Sequence, residues 1–372
     1  MKCIHCSTDN TYKDRTGSGS RCKSCGHPIA FEPKTDVFQM SDTLFAGAIK
    51  DVSADGTLAF TPRQLWYEIN RRLLARKTMS CGKSTAGVII FAVLLPQVRH
   101  LPAITLTMLL LPCVLMAAAA QKKPRPTGPR YPKMTFDAFE GYLHKWTVTH
   151  GAITKMLPVP ARRDGAKSFG QQAAPDVTAY SFDRALVTEH ADIAAMLVAN
   201  NFHFENNCAI LSLDGYPFQA ADTIKEMLGR NPNLKVFALH DATIPGTQMS
   251  AALRSPSWFP DKAIRMIDLG LRPLHVIKGG LIGLANPPVK FPVGTTSTSL
   301  TPEEITWLEQ GNTAELHALR PNKLMRAVYQ GFARAGQTDD TTVGDDGVII
   351  YGGPSIWIYD GGMDVYAADS FG

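Results

Sequence analysis

The sequence lacks the short motifs that identify several large classes of enzymes. It contains no GxxxxGK[ST] phosphate loop, no HExxH, no GxSxG and no GxGxxG. Their absence excludes the ordinary P-loop NTPases, zinc metalloproteases, serine hydrolases and dinucleotide-binding proteins. The first residues of the chain are polar and cysteine-rich where a cleavable signal peptide would be apolar, so we expect no such peptide.

Charge is nearly absent from residues 84–121, where Arg99 is the one residue with a fixed charge. The stretch 101–120 is long enough to cross a hydrocarbon core of about 30 Å, and the shorter stretch 84–98 precedes it. A turn at Arg99 and His100 would make the pair a two-helix transmembrane hairpin. Lys and Arg crowd both flanks, which places both termini in the cytoplasm. We therefore predict a multi-pass membrane protein with the lipid bilayer as a partner; a hairpin buried in a globular core is the alternative.

Basic residues are absent from the tail, residues 338–372, which contains seven Asp. The rest of the chain is therefore more basic than the net charge of +5 indicates. A basic surface suits anionic lipid or nucleic acid, and charge alone does not separate these partners. We expect the Gly- and Asp-rich tail to be mostly disordered or to pair as a short hairpin.

Four of the seven cysteines form two CxxC pairs, Cys3 with Cys6 and Cys22 with Cys25. In a reducing cytoplasm such cysteines favour a metal site over disulfides. Two CxxC pairs supply four thiolates to the corners of a tetrahedron, which is the shell that structural Zn²⁺ prefers. The pattern resembles zinc ribbons, which are small antiparallel β modules, so we predict a ribbon at 1–36 whose fold depends on the metal. A redox role for each CxxC is the alternative.

Residues 37–83 are interpreted as a helical, winged-helix-like segment. Thr61 is a typical N-cap and Pro62 a typical first residue of a basic amphipathic helix, which could alternatively contact lipid headgroups. The run Arg63-Gln-Leu-Trp-Tyr67 resembles the R-x-x-aromatic-Tyr signature in the winged-helix domain of topoisomerase VI A subunits and their meiotic relatives. This resemblance implies that Tyr67 is a catalytic nucleophile toward a DNA phosphodiester and that Arg63 is its phosphate-side partner.

Three apolar runs, RALVT, CAILSL and KVFALH, alternate with helical patterns downstream of residue 183. This order predicts β-α-β-α-β and a parallel sheet, in which ligands collect at the carboxyl ends of the strands. Glu189 follows the first run, Asp214 the second, and His240 and Asp241 the third. We expect these side chains at one edge of the sheet; carboxylates that merely cap helices are the alternative.

A Glu after one strand and an Asp with a nearby Gly after a later strand resemble the toprim fold of topoisomerases and primases. The resemblance implies that 181–280 is a toprim-like domain, in which Glu189 and Asp241, with Asp214 or waters, hold Mg²⁺. Toprim domains usually read D-x-D-x-x-G, whereas Thr243 stands at the position of the second Asp. We therefore expect weak binding of a divalent cation.

The predicted fold class is a multidomain membrane protein. Its segments are a β zinc ribbon (1–36), a winged-helix-like segment (37–83), a transmembrane helical hairpin (84–121), a basic linker and helix (122–180), a toprim-like α/β domain with a parallel sheet (181–280), a helical region (281–337) and the acidic tail (338–372). We predict that it binds or acts on nucleic-acid phosphodiesters, with nucleic acid and a second copy of the chain as partners. The alternative is a non-enzymatic membrane-anchored scaffold with a degenerate toprim-like domain, so enzymatic activity is left open.

Overall fold

A computed structural model describes part of the chain and divides it into two compact units. The described residues are 1–79, 129–160, 182–218, 221–229, 234–255, 258, 265–291, 300–337 and 348–350. One unit comprises Met1–Leu73 and Gly128–Gly372, and the other Leu74–Thr127. In the second unit only residues 74–79 are described, and they belong to the helix Pro62–Met79.

The prediction of a membrane protein requires a correction. Among the described residues, no helix combines the length and the apolar character needed to cross a bilayer. The longest described helix, Pro62–Met79, carries Arg63, Glu68 and Arg71 and is therefore not apolar. The fold class of a multi-pass membrane protein and the localisation with two spans and both termini in the cytoplasm are corrected by this finding. The segment for which the hairpin was predicted, 84–121, lies outside the described residues.

Two similar turns form the amino-terminal module. In each turn the residue after the second cysteine has a positive φ, 60° at Ser7 and 68° at Gly26. The backbone N–H of Ser7 donates to the carbonyl of Cys3 (3.0 Å), and that of Gly26 donates to Cys22 (2.9 Å). One isolated antiparallel bridge accompanies each turn, and the short helix α1, Tyr12–Gly17, joins them. The two CxxC pairs therefore have the same local geometry.

Three helices follow the module: α2 (Asp42–Val52), α3 (Pro62–Met79) and α4 (Phe136–His150). The Thr61 hydroxyl accepts from Gln64 N at 3.2 Å, and the Thr135 hydroxyl caps α4 in the same way. The helix starts predicted at Thr61 and Pro62 are confirmed. The winged-helix-like segment contains α2 and α3 in its described part, 37–79.

The carboxylate of Asp42, in the first turn of α2, joins the module to the helices. It accepts the backbone N–H groups of Ala30 and Phe31, each at 2.9 Å. The Nε2 atom of His150, the last residue of α4, lies 2.8 Å from the same carboxylate. The Phe31 ring is buried and stacks near Trp146, so the module and the helices share a core.

The predicted parallel sheet is present. Its strands are β1 (Arg184–Thr188), β2 (Cys208–Ser212), β3 (Lys235–Leu239), β4 (Arg265–Asp268) and β7 (Val348–Ile350), in the spatial order β2-β1-β3-β4-β7. All neighbouring strands pair in parallel, and β1 lies between β2 and β3. The three strands expected from the apolar runs are confirmed. β7 belongs to the tail, which was expected to be disordered or a hairpin; its described residues instead pair in parallel with β4.

Helices cover both faces of the sheet because alternate strand residues point to opposite sides. Leu186 and Phe237 face α5 and α12, whereas Val187 and Val236 face α7 and α9. The helices of this region are α5 (Ala191–Ala199), α6 (Phe202–Glu205), α7 (Ala221–Gly229), α8 (Ile244–Thr247), α9 (Met249–Leu253), α10 (Pro273–Gly279), α11 (Pro302–Glu309) and α12 (Pro321–Gln337). The short strands β5 (Leu284–Ala285) and β6 (Asn312–Thr313) pair antiparallel, and a 3-10 turn spans Leu316–Ala318.

Helix α3 packs against the connection between β6 and α12. The Gln64 side chain donates to the carbonyl of Leu319 at 3.1 Å, and the Arg71 guanidinium donates to the carbonyl of Ala318 at 2.7 Å. Arg320 forms hydrogen bonds with Glu68 at 2.8 and 2.9 Å. These contacts place the helix that carries Tyr67 beside the carboxyl edge of the sheet.

Candidate metal and phosphodiester site

Three polar side chains meet at the carboxyl ends of β1 and β3. Glu189 and His190 directly follow β1, and Asp241 follows β3 by one intervening residue. The backbone N–H of Asp241 donates to Glu189 Oε2 at 2.9 Å, and His190 Nε2 lies 3.1 Å from Asp241 Oδ2. One ligand atom from each of the three residues lies within 4.8 Å of the other two. The structure therefore brings together Glu189 and Asp241, as the strand-end rule predicts, and adds His190.

Burial and the contacts among these side chains set the pKa values of this group. Burial and the nearby Asp241 carboxylate raise the pKa of Glu189 above its ordinary value. The hydrogen bond to Asp241 raises the pKa of His190 to about 9. A charged imidazolium therefore accompanies two adjacent carboxyl groups at neutral pH, which is an arrangement that a bound cation could replace.

The Asp241 carboxylate is held in place on both sides. Its Oδ1 atom accepts the backbone N–H of Leu316 at 2.8 Å, while Oδ2 faces His190. Ala242 and Ala314 exchange two backbone hydrogen bonds, of 2.8 and 3.2 Å. The segment after β6 is thereby fixed to the end of β3.

Asp214 and Thr243 have structural roles in this arrangement. Asp214 Oδ2 accepts the backbone N–H of Ala191 at 3.1 Å, at the first residue of α5. The Thr243 hydroxyl accepts Gly246 N at 2.9 Å and caps α8. Both contacts correspond to the helix-capping alternative, so Thr243 does not replace the missing carboxylate.

Arg63 and Tyr67 both contact Glu315, a residue that lies outside the sequence motifs of the predicted site. Arg63 Nε and Nη2 each lie 2.5 Å from a Glu315 oxygen, and Tyr67 Oη donates to Glu315 Oε2 at 3.1 Å. Because Leu316 binds Asp241, the tyrosine helix and the carboxylate edge meet through two adjacent residues.

The Tyr67 hydroxyl lies in an environment that favours the protonated form. The residue is 0% exposed. Burial and the Glu315 carboxylate raise its pKa well above the ordinary value. In this arrangement Tyr67 is a hydrogen-bond donor to Glu315, and its oxygen is closed to a substrate.

A cavity of about 370 Å³ lies beside the carboxylate group. It is lined by Arg63, Val159, Pro160, His190, Ala191, Asp192, Asp214, Glu315 and His317. His317 Nε2 lies 2.7 Å from Asp192 Oδ2, and the His317 ring centroid lies 5.8 Å from that of His190. The cavity wall is therefore rich in ionisable groups, most of them brought from distant parts of the chain.

The four cysteines of the amino-terminal module converge. Cys3 Sγ lies 3.7 Å from Cys25 Sγ, and Cys6 Sγ lies 3.6 Å from Cys22 Sγ. All four sulfurs lie within 4.8 Å of one another. Sulfurs about 2.3 Å from a tetrahedral zinc ion lie about 3.8 Å apart, so the spacing fits a four-thiolate metal site.

A comparison of the sequence with profiles of known protein families and with curated proteins gave no match.

Proposed function

We propose that the chain binds nucleic-acid phosphodiesters at the carboxyl edge of its sheet and cleaves them by hydrolysis, with a divalent cation held by Glu189 and Asp241. The observation that carries the proposal is the convergence of these carboxylates with His190 beside a cavity whose wall contains several ionisable side chains. The sequence resemblance to toprim domains, in which the corresponding residues hold Mg²⁺, supports the same role. When bound, such a cation neutralises charge on a phosphate oxygen.

Residues of the cavity wall supply the remaining functions. Arg63 lines the cavity and carries the positive charge that would face a phosphate. Its guanidinium also forms an ion pair with Glu315. His317 donates through Nε2 to Asp192, and its buried Nδ1 has no hydrogen-bond partner among the described residues. His317 therefore positions Asp192 in the cavity wall, since its own Nδ1 atom is closed to the attacking water. In the hydrolysis the bond from the water oxygen to phosphorus forms while the P–O bond to the leaving sugar oxygen breaks, and the proton of the water passes to solvent in the cavity.

Tyr67 has no covalent step in this proposal. A tyrosine nucleophile, as the topoisomerase resemblance implies, would have to leave Glu315 and lose its proton in a buried environment that raises its pKa. Water as the nucleophile needs neither change.

The experiment uses zinc-loaded full-length protein with supercoiled plasmid DNA and single-stranded RNA, in Mg²⁺ or Mn²⁺. We expect cleavage by the wild type and its loss, by at least about 100-fold, in Asp241→Asn and Glu189→Gln. The matched control is Asp183→Asn, an exposed carboxylate at the opposite end of β1. Cleavage that survives both site variants, or a denaturation-resistant protein–DNA adduct that disappears in Tyr67→Phe, would contradict the hydrolytic proposal.

A second candidate is a non-enzymatic scaffold. It is favoured by the capping role of the Thr243 hydroxyl and by the burial of Tyr67. The same assay separates the candidates, because a scaffold retains nucleic-acid or partner binding in every variant and cleaves nothing.

We also propose that Cys3, Cys6, Cys22 and Cys25 hold one structural Zn²⁺ ion. The two similar turns and the spacing of the sulfurs support this assignment. A closed shell of four thiolates leaves no position for a substrate, so the metal would stabilise the module only.

A further inference from the structure

We infer that the cation at the carboxyl edge is a first-row transition-metal ion with a nitrogen ligand, and that this ligand is His190. The inference rests on the proposed cation site at Glu189 and Asp241 and specifies its chemistry. It departs from the Mg²⁺ site that the sequence resemblance implies, in which all protein ligands are oxygens.

The spacing of the three side chains fits a shared ion. Two ligands about 2.1 Å from an octahedral ion and adjacent to each other lie about 3 Å apart. His190 Nε2 and Asp241 Oδ2 are 3.1 Å apart, and Glu189 also contributes an atom within 4.8 Å. These two atoms now share a hydrogen bond, and they can coordinate one ion once the Nε2 proton leaves and the imidazole turns so that both atoms point to the ion.

The position of His190 would suggest a helix-capping role, but its side chain does not cap the helix. It is the N-cap residue of α5, yet its side chain makes no capping hydrogen bond. That role belongs to Asp214, which accepts the N–H of Ala191. The His190 side chain is 39% exposed and lines the cavity. It thus presents an imidazole to the cavity, beside the Asp241 carboxylate.

A second histidine lies near this group in the same cavity wall. His317 is buried, and its Nδ1 atom has no hydrogen-bond partner within the described part of the chain. Its ring centroid lies 5.8 Å from that of His190, in the same cavity. His317 therefore adds a second imidazole near His190, and its Nε2 atom is held by Asp192.

The donor set decides which ions bind. Carboxylates and water alone suit Mg²⁺, whereas imidazole suits transition metals, whose affinity for nitrogen ligands is higher. Replacing one oxygen by the His190 nitrogen should therefore shift preference away from Mg²⁺. We expect Mn²⁺ to bind at least about tenfold more tightly than Mg²⁺.

The test uses zinc-loaded full-length protein and Mn²⁺ as the probe, because its electron paramagnetic resonance reports both binding and ligand nitrogen. We expect nitrogen modulation from one imidazole in the wild type and its absence in His190→Asn, with Mn²⁺ affinity reduced about 10-fold or more and Mg²⁺ affinity little changed. His144→Asn, at an exposed histidine of α4, is the control and should leave the signal intact.

Two other outcomes overturn the inference and are distinguishable. If Mn²⁺ and Mg²⁺ bind at Asp241 but His190→Asn changes neither the signal nor the affinity ratio, the ion has oxygen ligands and only this inference fails. If the folded, zinc-loaded wild type binds neither ion, the cation site of the proposed function fails as well. Asp241→Asn identifies the site, since it should abolish binding of both ions.

Discussion

At the scale of single residues, the Glu315 carboxylate connects groups that are far apart in the sequence. It binds both the guanidinium of Arg63 and the hydroxyl of Tyr67. The backbone of the next residue, Leu316, binds Asp241. A tyrosine motif and a carboxylate edge thus lie in contact, and the contact consists of a hydrogen-bonded network rather than an exposed nucleophile.

Tyr67→Phe removes a hydroxyl that donates to a charged carboxylate in a buried position. A hydrogen bond to a charged group contributes about 1.5 to 3 kcal/mol, so we expect the free energy of unfolding to fall by about that amount. Urea denaturation followed by tryptophan fluorescence measures the change.

Tyr131→Phe provides the matched control for this prediction. The Tyr131 hydroxyl donates to the neutral amide oxygen of Asn312 at 2.7 Å, and the residue is 38% exposed. Its loss should lower the free energy of unfolding by about 1 kcal/mol or less. Equal losses in the two variants would show that Glu315 does not hold Tyr67 as the structure describes.

Single residues of the site differ in how far they follow from the sequence. Glu189 and Asp241 come directly after apolar runs, and parallel strands bring such positions to one edge, so their proximity was predictable. His190 directly follows Glu189, so its place at the carboxyl end of β1 was predictable in the same way. Glu315 and His317 lie in a segment without a periodic pattern, and only the packing of that segment on β3 gives them a role.

At the scale of elements, a buried carboxylate joins α3 to the start of α12. Glu68 is 1% exposed and contacts the guanidinium groups of Arg71 and Arg320. Burial alone would raise the pKa of Glu68, but the neighbouring guanidinium groups outweigh it and lower the pKa below its ordinary value. The attachment of α3 to the sheet region therefore depends on an ionised glutamate.

Glu68→Gln removes the negative charge, so the guanidinium groups of Arg71 and Arg320 lose the Glu68 carboxylate as a partner. Breaking a buried ion pair by changing one partner costs about 3 to 5 kcal/mol, and we expect a loss near the lower end because Arg320 is partly exposed. Urea denaturation at neutral pH measures the change. Glu303→Gln, an exposed glutamate in the first turn of α11, is the control and should be nearly neutral.

The pH dependence of this loss has a definite sign. Because the folded protein lowers the pKa of Glu68, its stabilising contribution is complete above the unfolded pKa of about 4.3 and is lost as the pH falls through the folded value. The difference in the free energy of unfolding between wild type and Glu68→Gln should therefore be constant from about pH 7 to 5 and shrink below about pH 4. A difference that stays constant to about pH 3.5 would contradict an ionised Glu68 as its source.

Elements were the most predictable level of this structure. The caps of α3 and α4, at Thr61 and Thr135, involve hydrogen bonds to residues three positions away. The three apolar runs became β1, β2 and β3 because short, uninterrupted apolar segments between amphipathic helices are buried on both faces. β7 was not predicted, because its pairing with β4 joins residues about 80 positions apart. Local sequence patterns give no information on pairing over such a distance.

At the scale of the whole molecule, the cysteine module and the sheet belong to one compact unit but have separate cores. A module of this size buries too little apolar surface to be stable alone, so bound metal should supply its folding free energy. The sheet is covered on both faces by its own helices and does not need the module for its core.

Zinc removal should therefore unfold the module selectively. After chelation, or in Cys22→Ser, we expect backbone amides of residues 1–30 to exchange rapidly with deuterium while those of β1 and β3 stay protected. Structural zinc sites contribute about 10 to 16 kcal/mol of apparent binding free energy, so the change should be complete rather than partial. Hydrogen-exchange mass spectrometry with metal analysis measures it.

Cys208→Ala is the control for zinc removal, because Cys208 is buried in β2 away from the cluster. It should retain one zinc ion per chain and the exchange pattern of the wild-type module. Full protection of residues 1–30 in zinc-free Cys22→Ser would refute a metal-dependent module.

The sequence by itself determined the features whose physics is local: the two turns at the CxxC pairs, the helix caps and the buried strands of the sheet. Spacings of a few residues specify these features because their hydrogen bonds close within one turn or between neighbouring strands. Tertiary structure alone decided that Glu315 binds Tyr67 and Arg63 and that Asp241 binds the backbone of Leu316. The partners at Glu315 come from elements about 250 residues apart, and only the packing of the complete fold sets their distances and charges.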